Sequence, residues 1–281
     1  MPVFDTPEPI SIQIDLPTGD VWITASDRAD TVVEVRPRKA SSKADVSLAE
    51  QTTVEYAAGQ LMVRAPKSWR RYAFGPGPSI DILIEVPSGS SLQAEASWAA
   101  FRCEGRLGDC RIKTGGAVRL DQTGALDIDC SHGEVVAKRV AGTVRVTASS
   151  GKVRLGEVDG TAELKNSSGD CWIERSTGDV RAKTAYGDIT VDQALASVTA
   201  RTNHGSVRIG EVARGAVDLQ TSYGAIEVGV RRGTAAWLEL NSRNGRVHNA
   251  LDTTDGPAKD DGTVEIRANT NWGDIMIRRA A

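Results

Sequence analysis

From about residue 116 onward, apolar side chains recur in short alternating pairs, each pair two and four places after a glycine. Val118/Leu120, Val135/Ala137, Val153/Leu155, Cys171/Ile173, Ile189/Val191, Val207/Ile209 and Ile226/Val228 form one series. Leu126/Ile128, Val144/Val146, Ala162/Leu164, Val180/Ala182, Val198/Ala200 and Val217/Leu219 form another, halfway between. The residue between the members of a pair is usually polar. This period-two alternation predicts strands with one buried face, and no helical periodicity competes with it. The glycines of the first series stand at 116, 133, 151, 169, 187, 205, 224, 245 and 273, with gaps of 17, 18, 18, 18, 18, 19, 21 and 28. The first series usually has Val or Ala seven places after its glycine (Val140, Val158, Ala194, Val212). The second has a small or polar residue six places after its own corner position (Cys130, Ala148, Asn166, Thr184, Thr202, Thr221 and, beyond a late insertion, Ser242), so the true repeat is 18 residues.

Constant spacing of this kind predicts an all-β, single-stranded β-solenoid (β-helix) in which each ~18-residue coil is two nine-residue half-turns and strand i pairs in parallel with strand i+18. An antiparallel meander would alternate turns too, but its loop lengths would vary. Residues 1–98 supply the first coils and carry a divergent insertion at 36–79. Residues 99–281 form the regular coils, with a corner insertion at 249–263, and the whole reads as one continuous domain. In-register stacking also sets Arg145, Glu163 and Arg181 on adjacent rungs with alternating charge.

The opening LPTGDVWIT element and the recurrent S-x-G-D/x-V-x-I coils resemble the bacterial "putative adhesin" β-strand-repeat family of unknown function, over nearly the whole chain. The architecture is more distantly similar to that of bactofilins, end-to-end polymerising β-solenoids. The family resemblance implies a surface-adhesion role and brings no catalytic residues with it.

Three Gly-Asp pairs, at 169–170, 178–179 and 187–188, repeat at nine residues, the period of calcium-binding β-rolls. In that motif the aspartate lies two residues after the glycine. Here it lies one after, and the equivalent positions elsewhere hold Glu134, Lys152, Thr161, Ser206, Ala216 and Arg246, so the period reflects corner geometry and no metal is expected. His132 and His204 share a corner column four coils apart, about 19 Å at strand spacing, too far to hold one ion. No catalytic motif stands out, so no enzyme and no cofactor is expected; a β-helical polysaccharide-active enzyme is the remote alternative. The four cysteines, Cys103, Cys110, Cys130 and Cys171, fall on inward positions and read as buried thiols.

Composition narrows the partners. A net charge of -3 argues against nucleic acid, and no apolar run is long enough to insert in a membrane. No export signal is visible at the start, which with the unpaired cysteines gives a cytoplasmic expectation. The expected role is a scaffold or protein-interaction protein that self-associates through its ends, as in a homodimer; carbohydrate or cell-surface binding is the alternative. Two surfaces are candidates. One is a corner column in which Tyr186, His204 and Tyr223 occupy consecutive rungs, extended by the outward Trp172. The other is the Arg-aromatic loop Trp69, Arg70, Arg71 and Tyr72, of a kind enriched in interface hot spots.

Overall fold

A computed structural model describes residues 1–66, 77–251 and 262–280. The fold is the expected all-β, single-stranded solenoid. The chain divides into two compact units, Met1–Arg139 and Val140–Ala281.

The first unit contains β1 (Val3–Asp5), β2 (Ser11–Ser26), β3 (Asp30–Pro37), helix α1 (Lys43–Gln51), β4 (Thr53–Ala57), β5 (Gln60–Arg64), β6 (Ile80–Pro87), β7 (Ser91–Arg106), β8 (Cys110–Thr114), β9 (Val118–Thr123), β10 (Leu126–His132) and most of β11 (Val135–Val140). The second contains β12 (Val144–Ser150), β13 (Val153–Val158), β14 (Ala162–Ser168), β15 (Cys171–Ser176), β16 (Val180–Tyr186), β17 (Ile189–Ala194), β18 (Val198–His204), β19 (Val207–Val212), β20 (Gly215–Tyr223), β21 (Ile226–Val230), β22 (Thr234–Asn244), β23 (Val247–Asn249), β24 (Gly262–Trp272) and β25 (Ile275–Arg279).

In the second unit the 18-residue register holds residue for residue: Val144 pairs in parallel with Ala162, Ala162 with Val180, and Val180 with Val198. The alternation in sequence becomes an inward column of Val, Ile, Leu and Ala that is almost wholly buried. Each buried branched side chain stabilises the stack by about 1.5–3 kcal/mol before entropy is counted. On the outer face Arg145 reaches Glu163 at 3.4 Å, while the other Glu163 oxygen takes Lys165 at 2.7 Å.

The corner explains the glycine period. Gly169, Gly187, Gly205, Gly224 and Gly273 all have φ between 128° and 152°, and a Cβ on any of them would sit 2.0–2.3 Å from a glycine carbonyl oxygen on the coil before. The polar column beside it is buried and caps that same carbonyl. Asn166 donates to Gly151 O at 2.9 Å, Thr202 to Gly187 O at 3.1 Å, Thr221 to Gly205 O at 2.8 Å and Thr270 to Gly224 O at 3.1 Å. A buried carbonyl left without a partner is costly, so a small hydroxyl or amide is required where an apolar residue would otherwise serve.

The same corners account for the Gly-Asp pairs. Asp170 accepts the backbone N–H of Asp188, Asp188 that of Ser206 at 2.8 Å, and Asp179 that of Ser197. The aspartates tie one coil to the next.

Strict sequential stacking breaks in the last coils of the second unit. β24 pairs with β20 on one side and β22 on the other, and β25 lies likewise between β21 and β23. The coil 262–279 therefore slots in ahead of the coil 234–249, and the chain's final strand is an interior one. Gly273 stacks on Gly224, and Gly245 on Gly273. The first unit shows the same device: β2 lies between β5/β6 and β7, so β5 and β6 stack outside residues 11–26. Antiparallel strands then cover that outer coil, β3 along β6 and β4 along β5, with β1 along β3.

Within the 36–79 insertion β4 and β5 form an antiparallel hairpin, and the pattern gives no sign of α1. Its nine residues bury only Asp45 and Leu48, too few for a legible stripe. Local chemistry makes the helix instead. Ser42 caps it through the Asp45 N–H, and the buried Asp45 carboxylate accepts backbone N–H groups from Lys39 and Ser79.

A chain truncated after Leu251 removes both neighbours of the 234–249 coil. Amide hydrogen exchange is expected to show β22 unprotected in that variant while β16 to β19 stay protected; retained protection in β22 would contradict the interleaved order.

Candidate functional site

The corner column is the most conspicuous surface of the second unit. Tyr186, His204 and Tyr223 are register partners on successive coils. Their rings stack at centroid separations of 5.0 and 4.9 Å, each pair within 2° of parallel. Interleaving of the coils decides the next rung. Tyr223 pairs with Trp272, and Asn244 comes after it, whereas strictly sequential stacking would put Asn244 next to Tyr223. The strip is thus four aromatic rungs long, with Tyr186 60% exposed, Tyr223 52% and Trp272 54%.

The strip holds its place through the backbone beneath it. The carbonyls of Tyr186, His204, Tyr223 and Trp272 each accept a glycine N–H from the coil before, at 2.7–2.9 Å. Because the rings face one another, His204 has neither face open, and the strip offers solvent mainly ring edges, hydroxyls and imidazole nitrogens. That geometry suits a corner brace or a protein contact better than a sugar, which needs an open ring face.

Trp172 stands apart from the strip. It lies on β15, beside Arg154 and Thr190, half-buried, with its indole N–H donated to Asp192 at 3.0 Å. Trp69, Arg70, Arg71 and Tyr72 lie outside the described residues.

A second surface is not legible in the sequence. Each strand of the 234–249 coil has a parallel neighbour on one side, β24 for β22 and β25 for β23. Its core-facing residues Leu238 and Leu240 are only half-buried, and core-facing Val247 is 46% exposed, with outward Trp237 at 55%. The repeat pattern continues through these residues as though another coil came after them, so nothing in the pattern alone marks them as terminal.

Reactive chemistry is scarce. Among the described residues no group of three His, Cys, Asp or Glu could hold a metal, and no helix is long and apolar enough to cross a membrane. All four thiols are free and buried. Burial raises every one of them, Cys110 and Cys171 to about 11. They are protonated at neutral pH and poor nucleophiles.

A family model described as Toastrack DUF4097 matches residues 10–278. The chain belongs to the Toastrack DUF4097 family. No curated protein matches it. Among solved structures, a putative adhesin from Parabacteroides merdae is similar at 12% identity, covering 98% of this chain and 94% of that one, with a TM-score of 0.44. A putative adhesin from Bacteroides fragilis is similar at 13% identity, covering 98% and 95%, with a TM-score of 0.37. A putative lipid binding protein from Parabacteroides distasonis is similar at 14% identity, covering 100% and 96%, with a TM-score of 0.38. None of these three is a bactofilin. Toastrack membership accounts for the coils, and at such low identity what the neighbours are called does not transfer to this chain.

Stacked aromatic pairs contribute about 0.5–1.5 kcal/mol each. His204→Ala breaks two stacks and Tyr186→Ala one, so urea unfolding is expected to show the larger loss for His204→Ala; equal losses would mean the strip is no brace. The thiols give a second expectation. Their folded-state values lie above the ordinary 9.0, so the folded protein holds these protons where the unfolded chain releases them. Stability is then full below pH 9 and falls as pH rises toward 11, and less steeply in a Cys110→Ala/Cys171→Ala variant, measured by denaturant titration at each pH.

Proposed function

We propose that this chain is a non-enzymatic scaffold that pairs with a second copy of itself through its open C-terminal coil. The observation that carries the reading is the side of β22 and β23 away from β24 and β25, where no described residue pairs with the backbone and the core leucines are half-buried. A long uncovered edge strand is a template for pairing with another strand, and soluble proteins normally blunt one. The first unit does so, laying antiparallel strands along its outer coil. In the second unit no described strand lies along the other side of the 11-residue β22.

Like surfaces meeting about a twofold axis form the commonest closed assembly. Two copies of β22 running antiparallel would keep both sets of core leucines on the inner side of one continued sheet. A register centred on Asn241 sets Glu239 against the partner's Arg243, twice by symmetry, and fixes the pairing among slipped alternatives. Glu239 already bonds Arg267 at 3.2 Å within its own chain, so it is held in position.

Light scattering on the full chain is expected to give about twice the 29.9 kDa chain mass, and the chain mass alone for Leu238→Asp/Leu240→Asp. Glu239→Arg should weaken the dimer and Glu239→Arg/Arg243→Glu restore it. A monomer mass independent of concentration would overturn the proposal.

A further inference from the structure

The first unit carries a concave site that the pairing of copies does not use. The same kind of corner that bears the aromatic strip in the second unit here opens a pocket of about 460 Å³, lined among others by Thr18, Asp20, Arg38, Trp98, Gly115 and His132. That volume falls within the roughly 300–1,000 Å³ of small-molecule sites.

Its wall is Trp98, 56% exposed. Trp98 lies within β7, on the corner rung opposite Thr18. The next rung is Gly115, where a Cβ would come 2.9 Å from Trp98 Cε3, so only glycine lets the indole lie down against the corner. The coil after that supplies His132, whose ring meets the indole at 5.5 Å and 35°. The indole is thereby supported on one side by Gly115 and His132. On the other side its register neighbour is Thr18, and Thr18, Trp98 and His132 all line the pocket. This is unlike His204, which is sandwiched between two tyrosines.

The polar groups at the rim are paired and balanced. Arg38 bonds the carboxylate of Asp20 and reaches Asp81 at 3.3 Å, while Arg38 and Asp20 keep 40% and 30% of their side chains exposed. A free phosphate would meet Asp20, and a cation would meet Arg38; neither charge sign is favoured. An apolar ligand would take both charged groups out of water with nothing but each other to replace it. What fits is a neutral ring with one apolar face for the indole and hydroxyls along its edge, able to donate to Asp20 and accept from Arg38. The geometry points to a binding site for a neutral hexopyranose unit, alone or at the end of a glycan, seated on Trp98.

Saturation-transfer NMR on the full chain, with a panel of methyl hexopyranosides and their disaccharides as probes, tests the site. At least one sugar is expected to take up saturation mainly on its ring C–H face. Trp98→Ala should weaken binding about tenfold or more, Trp98→Phe should keep most of it, and Asp20→Asn should weaken it with the ring contacts retained. Circular dichroism of each variant checks the fold, and Trp272→Ala, on the other strip, should bind as the parent does. No transfer from any panel member, unchanged binding in Trp98→Ala, or tighter binding of inorganic phosphate than of any sugar would overturn the assignment. The dimer test is independent, because the Leu238→Asp/Leu240→Asp variant should still bind.

Discussion

Everything in this molecule rests on how closely one coil's corner lies on the next. In the second unit the corner glycines from Gly169 onward pack against the preceding glycine's carbonyl, leaving 2.0–2.3 Å where a Cβ would be. That approach keeps the parallel ladder in register, and it buries a carbonyl that needs a donor. Thr, Asn and Ser in the neighbouring column supply one at several steps. Glycine and hydroxyl are thus a single device, and the rest of the repeat adjusts to it. Carboxylates beside the glycines, which in another fold would hold metal, here accept backbone N–H groups of the neighbouring coil.

A stack so regular has no reason to stop, and its ends must be managed by changing the path of the chain. In the first unit the chain leaves the stack through β3, α1 and β4, then returns as β5 and β6 to form an outer coil parallel to β2, along which β3 and β4 lie antiparallel. In the second it places its last strands inside and leaves an earlier coil at the margin. The interleaving protects the C-terminal strand, which gains neighbours on both sides, and moves the unsatisfied edge to β22. It also moves Trp272 next to Tyr223, lengthening the aromatic strip by one rung.

The two aromatic corners differ in what a ligand would meet. In the second unit aromatic follows aromatic, so the rings spend their faces on each other and stiffen the corner. In the first unit a glycine sits between Trp98 and His132, and the indole lies over it beside a pocket. One missing side chain separates a brace from a platform. The four thiols are held protonated by burial.

The sequence by itself determined the coil. The 18-residue period, the inward Val, Ile and Leu pairs, the glycine corners, the polar column and the burial of all four cysteines follow from local pattern, because each depends on residues that repeat at the same interval. It also placed Tyr186, His204 and Tyr223 on one column. It was silent on α1, whose stability lies in the Ser42 cap and the buried Asp45, contacts too few to leave a period. Only the tertiary structure decided the order of the coils. Adjacent repeats in such a stack are near-equivalent in pattern, so 234–249 and 262–279 can each follow residue 230 as far as pattern goes. The choice between them is made by long-range packing. That choice set which described coil lies at the margin and which residue neighbours Tyr223.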